Sequence, residues 1–226
     1  MEAMVFDFDG VIVDSEPVHL RGFQKVLDLI GIKLTRDDYY QKYLGYDDRD
    51  CFTAVLAEKG MEQTAQQIKA MIEAKSEAVR EELATSAPAL DGAVELIAAA
   101  DEAGVPIGVC SGALKEDILL PSRKLGLLEH LMQIVSAEDV RKGKPDPEGY
   151  RLALRRLSAS AGKDLEPAKC IAIEDSPAGV EAAKTAGMKV LAVTNSYAAE
   201  DLQQADKVMD SLRSVTLGSL DVMLGI

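Results

Sequence analysis

Residues 5–19 read VFDFDGVIVDSEPVH. A short apolar run ends in two aspartates, Asp7 and Asp9, with only Phe8 between them. A strand buried on both faces has no use for two carboxylates on one face. Successive side chains of a strand alternate, so Asp7 and Asp9 point the same way while the chain stays extended. The pair therefore marks the place where a buried strand ends and chemistry begins.

Four further runs share the Val/Ile-rich character of a buried strand: VPIGVC (105–110), CIAI (170–173), KVLAV (189–193) and the weaker MQIVSA (132–137). Helical patterns separate them. DGAVELIAAADEAG (91–104) ends on a glycine suited to a helix C-terminus. PEGYRLALRRL (147–157) sets Tyr150, Ala153, Leu154 and Leu157 on one face. SPAGVEAAKTAG (176–187) begins with a Ser N-cap and a proline at the first helical position. Strands alternating with helices of this length predict an α/β fold, a Rossmann-like doubly wound sheet of parallel strands covered on both faces. Residues 15–85 break the alternation and show helical periods only, as in Val18, Phe23, Val26, Leu27 and Ile30, then Ile68, Met71, Ile72, Val79 and Leu83. An all-helical insert over 15–85 is expected, with a core formed by 1–14 and 86–226 and a return linker in ATSAPALDG (84–92).

With 226 residues and 47% hydrophobic content the chain can bury one sizeable core, largely aliphatic because Trp is absent. A net charge of −13 disfavours nucleic acid and anionic membranes as partners, although a cation or a local lysine could still receive a small anion. The three cysteines, Cys51, Cys110 and Cys170, fit no metal spacing, and an odd number argues against a disulfide framework. They read as reduced, buried thiols of a cytoplasmic protein. No signal peptide is visible, and no apolar stretch reaches the roughly 20 residues of a membrane helix.

Ligands of an open parallel sheet bind beyond the carboxyl ends of its strands. The strand ends carry Asp7-Phe8-Asp9-Gly10, Cys110-Ser111-Gly112, the segment RKGKPDP with Lys142 and Lys144, and Ile173-Glu174-Asp175-Ser176. Four acids, a hydroxyl beside a glycine and a lysine on one edge suggest phosphoryl transfer. Mg2+ prefers oxygen ligands, which Asp7, Glu174, Asp175 and the backbone carbonyl of Asp9 could supply. Asp7 then suits the nucleophile that forms an aspartyl phosphate. Asp9 suits the acid that protonates the leaving oxygen and the base that later takes a proton from water. Ser111 and the amides of Gly112 and Ala113 suit the phosphate oxygens. Lys144 suits the neutralisation of phosphate and carboxylate charge.

DFDGVIVD, CSG, KGKPDP and IEDSPAGV, in this order, resemble the four motifs of the haloacid dehalogenase (HAD) superfamily. The resemblance spans residues 7 to about 180, and the helical insert is similar to that family's cap. It implies a Mg2+-dependent aspartyl-phosphate mechanism. DSEPVH and the small cap look most like the β-phosphoglucomutase and sugar-phosphatase branch, where cap residues choose the substrate. Lys75 falls on an apolar helical stripe, either snorkelling at its edge or facing a substrate, and the related enzymes have a lysine there. Arg49, in GYDDRD, is either a solvated helix start or the phosphate clamp that the resemblance implies. His19 and Glu16, just after the crossing into the insert, are weaker substrate-binding candidates.

The expected activity is hydrolysis of a small phosphorylated metabolite by a monomer whose cap opens and closes. The alternative is a β-phosphoglucomutase-type transfer on the same residues. Dehalogenases and phosphonate-cleaving relatives lack the second aspartate, which is present here as Asp9. A phosphorylated receiver domain would carry its acid pair on the first strand and its acceptor later, the reverse of this order. A non-catalytic binding protein on this scaffold would have lost one of Asp7, Asp9, Lys144 or Asp175, and all are present.

Overall fold

The structure is a computed structural model, described here for residues 1–226 other than Gly45 and Ala87. Strand β1 (Ala3–Phe6) is followed by α1 (Glu16–Asp28), α2 (Arg36–Asp38) with a π-helical turn at Tyr39–Tyr43, α3 (Asp48–Glu58) and α4 (Ala65–Thr85). Helices and strands then alternate through α5 (Ala93–Glu102), β2 (Ile107–Cys110), α6 (Lys115–Lys124), β3 (Gln133–Val135), α7 (Glu148–Ala161), β4 (Cys170–Glu174), α8 (Pro177–Thr185) and β5 (Lys189–Val193). The chain closes with β6 (Lys207–Met209) and α9 (Leu217–Leu224). Two compact units result, Met1–Asp14 with Ala87–Ile226, and Ser15–Ser86. Ala87 of the expected return linker and Gly45 of GYDDRD lie outside the described residues.

The first unit is built on a parallel sheet of order β3-β2-β1-β4-β5-β6. β1 is central and completely buried, which is why its four residues carry no polar side chain. The chain leaves β1 toward β2 on one side and reaches β4 on the other, so the strand order reverses between β1 and β4. Such a reversal opens a crevice at the carboxyl ends of the two strands. Ala3 and Val5 face α7 and α8 and pack with Tyr150, Ala153, Leu157, Val180 and Ala183. By strand alternation Asp7 continues that face one step beyond the strand. Its amide still donates to the Ile173 carbonyl at 2.9 Å, which keeps it in register with β4.

The five strands read from sequence are all present: β1, β2 and β3 are trimmed by up to two residues at an end, β4 runs one residue further to Glu174, and β5 has the expected bounds. Strand β6 was not expected; it is three half-buried residues at the sheet edge, too short to leave a pattern. Helix α7 runs four residues beyond Leu157, to Ala161, and stops where Gly162 takes a left-handed conformation at φ 65°. Ser176 caps α8 as expected, its hydroxyl accepting from the Gly179 amide at 3.1 Å.

Among the described residues, the regular elements of the second unit are all helices. Phe23, Leu27, Phe52, Leu56 and Ile68 form its core, with the Phe23 and Phe52 rings edge to face at 4.9 Å. Gly22 lets α1 approach α4: a Cβ there would sit 2.7 Å from Val79 Cγ2 and 3.2 Å from Lys75 Cγ. Among the described residues no helix is long and apolar enough to cross a membrane.

Candidate active site

Asp7, Glu174 and Asp175 come together at the carboxyl edge between β1 and β4, with carboxylate oxygens within 4.8 Å of one another. All three are buried, at 7%, 0% and 4% exposure. Parallel pairing of Phe6 with Ile173 places the two strand ends side by side, so the residues that follow each strand must meet. Lys144 enters from the loop after β3 and donates to Asp7 Oδ1 at 2.6 Å and to Glu174 Oε1 at 2.5 Å. Tyr150, at the start of α7, donates its hydroxyl to Glu174 Oε1 at 2.7 Å. Glu174 Oε2 accepts from the Asp175 amide at 3.1 Å, the Ser176 amide at 3.3 Å and the Ser176 hydroxyl at 3.2 Å. These donors match or exceed the roughly four lone-pair sites of a carboxylate.

The electrostatics follow from that crowding. Burial raises the Asp7 carboxyl well above its ordinary pKa; Lys144 opposes the shift while Glu174 and Asp175 add to it. Asp175 is pushed up to about 7 by burial and by Glu174, against a lowering hydrogen bond from Ser196. Burial works against the Lys144 ammonium, yet Asp7 and Glu174 outweigh it and hold its pKa above that of a free lysine.

Asp9 lies one residue past buried Phe8 and before Gly10, whose φ of 75° turns the chain. The Ser111 hydroxyl reaches Asp9 Oδ2 at 3.4 Å and also accepts from the Ala113 amide at 3.0 Å. That amide, expected to hold phosphate, is thus engaged by Ser111. Gly112 is exposed beside it. Helix α6 begins at Lys115 with Leu114 at its cap position, so Ser111 stands before the helix rather than capping it.

A family model described as haloacid dehalogenase-like hydrolase matches residues 4–193. The chain belongs to that family. This haloacid dehalogenase-like hydrolase is 29% identical over 189 residues to the phosphorylated carbohydrates phosphatase of Thermotoga maritima, covering 84% of this chain and 83% of that one. It is 28% identical over 221 residues to the β-phosphoglucomutase of Bacillus subtilis, covering 96% and 92%. The crystal structure of CbbY from Rhodobacter sphaeroides in complex with phosphate superposes with a TM-score of 0.81 at 27% identity, over 98% of this chain and 99% of that one.

Hydrolases of this family generally use Mg2+, and the donor set here suits such an ion. Three carboxylates face one ammonium, an excess of negative charge in a buried place. Lys144 takes Oδ1 of Asp7 and Ser196 takes Oδ2 of Asp175, so each carboxylate has a second oxygen to offer. Hard, all-oxygen donors are what Mg2+ requires. Glu174, already surrounded by donors, suits a role in holding Lys144 and the start of α8 more than direct ligation. Asp9 lies outside the cluster of candidate ligand side chains, in keeping with a contribution through its carbonyl only.

In the second unit, two of the four candidate residues, Lys75 and His19, contact one another. Lys75 is 2% exposed and does not snorkel. Its ammonium contacts Asp48 Oδ1 and His19 Nδ1, each at 2.6 Å, and lies 4.6 Å from the centre of the Phe23 ring. An ammonium can only donate, so in this contact His19 Nδ1 is the acceptor. Glu16 accepts from the Tyr39 hydroxyl at 2.5 Å. Arg49 is exposed in the first turn of α3.

Three contributors escaped the sequence reading. Tyr150 was legible as a core residue of α7, but its hydroxyl belongs to the site. Asn195 and Ser196 follow β5 at the same sheet edge; their place after a strand was the only signal available.

Proposed function

We propose that this hydrolase cleaves a small phosphate monoester, of the sugar-phosphate class, through a phosphoryl group carried on Asp7. The observation that carries the reading is the buried Asp7 carboxylate, paired with Lys144 at 2.6 Å and clustered with Asp175 at the strand-order reversal. The named activity of the Thermotoga maritima relative supports the substrate class.

An oxygen of Asp7 attacks phosphorus, and the bond from phosphorus to the ester oxygen breaks. Asp9 gives its proton to the departing alkoxide, which leaves as the alcohol. Water then attacks the phosphoryl group on Asp7, returning one proton to Asp9 and releasing inorganic phosphate. Lys144 and the Ser111 hydroxyl hold phosphate oxygens, and the amide of Gly112 adds a further donor. Mg2+, held by Asp7, Asp175 and the Asp9 carbonyl, would draw charge from the phosphate and let a carboxylate approach it. In the helical unit, Arg49 is the residue we assign to substrate selection, because its cation is exposed. Lys75 binds both His19 and Asp48, and Glu16 binds Tyr39.

Phosphate release from a sugar-phosphate panel, with and without Mg2+, tests the reading, with Asp7→Asn as control. Release that requires Mg2+ and vanishes in Asp7→Asn is the expected result; turnover surviving that substitution refutes the nucleophile. The Bacillus subtilis relative favours a second reading, transfer to a sugar hydroxyl. Interconversion of 1- and 6-phosphates with little phosphate release would select it.

A further inference from the structure

The turn after β5 makes two contacts with the site. β4 and β5 are parallel, with Glu174 opposite Ala192, so the turn after β5 emerges beside Asp175. The Ser196 hydroxyl donates a short hydrogen bond to Asp175 Oδ2. The neighbouring Asn195 donates its side-chain amide to the Gly10 carbonyl at 2.7 Å. A Cβ on Gly10 would run into both Asp175 and Ser196, so three chain segments meet here with no room for one methyl group. A carboxylate without such partners would be free to rotate and to offer either oxygen.

We propose that Ser196 is a positioning residue of this active site, its hydroxyl holding Asp175 so that Oδ1 is the oxygen presented to a divalent cation, while Asn195 fixes the backbone of the Asp9–Gly10 turn. The proposal rests on the reading of Asp7 and Asp175 as the cation's ligands. Partners that orient a metal-binding carboxylate typically change affinity by 10- to 100-fold when removed.

Mn2+ alone serves as the probe, titrated into the protein without substrate and followed by electron paramagnetic resonance of the free ion. Ser196→Ala is expected to weaken Mn2+ on the order of tenfold, with a thermal midpoint close to that of the unaltered protein. Ser196→Thr, which keeps the hydroxyl, is expected to restore the affinity. In turnover assays Ser196→Ala is expected to raise the Mg2+ concentration for half-maximal rate more than it lowers kcat at saturation. Asp175→Ala separates the two levels of inference. If it binds Mn2+ as the unaltered protein does, the ligand reading itself fails. If it loses Mn2+ while Ser196→Ala binds normally, or if Ser196→Thr does not restore binding, the positioning role alone is overturned.

Discussion

Tyr150 shows how much a single polar atom can hold at the residue scale. Its ring is fully buried in the sheet core, and its hydroxyl meets Glu174, an acid with no exposure at all. A hydrogen bond to a charged group contributes about 1.5–3 kcal/mol. Tyr150→Phe removes that bond and keeps the ring, so no large cavity forms. The expected loss of stability is about 2 kcal/mol, read as a lower urea midpoint at unchanged slope; an unchanged midpoint would refute it. Residues of this kind mark the limit of sequence reading. Asp7, Asp9, Lys144 and Asp175 were legible because carboxylates and a lysine at strand ends have few structural uses. A tyrosine on an apolar helix face reads as core, and only the approach of α7 to β4 reveals the second role.

At the scale of elements, close packing decides. Gly22 sits in the middle of α1, where alanine would favour the helix by up to about 1 kcal/mol. The added methyl, however, would press on Val79, a stiff β-branched neighbour on α4. Overpacking of this kind costs about 1–3 kcal/mol, so the steric term wins. Gly22→Ala is expected to lower stability in a urea titration, and stabilisation would show that α4 yields instead. Helix periods in 15–85 announced α1 and α4, but not that a glycine sets their separation. Strand β6 was missed for a related reason: three residues at an edge, half exposed, carry too little burial to impose a pattern.

The whole molecule buries three thiols, Cys51, Cys110 and Cys170, as the sequence led us to expect, and all are free in the structure. Burial pushes each up to about 12. An unfolded thiol titrates near 8.5, roughly. Between those values the unfolded chain has lost protons that the folded chain keeps, so stability falls as pH rises. The contribution is fully present below about pH 8.5 and declines by about 1.4 kcal/mol per pH unit per thiol toward the folded value. Urea unfolding between about pH 8.5 and 10 checks this, using Cys170→Ala for comparison. That variant is expected to show a slope shallower by about 1.4 kcal/mol per pH unit. Equal slopes would refute the assignment.

The sequence by itself determined the alternation of strands and helices, the helical insert, and the acids and lysine that gather at one sheet edge. It could do so because parallel strands bring their carboxyl ends to the same side whatever the side-chain packing. Tertiary structure alone decided which donors surround Glu174, which oxygen of Asp175 Ser196 holds, and that Lys75 turns inward to Asp48 and His19. The side-chain partners that come from other elements lie 21 to 56 residues apart along the chain. Their meeting depends on distances set by packing, to which local residue patterns are blind.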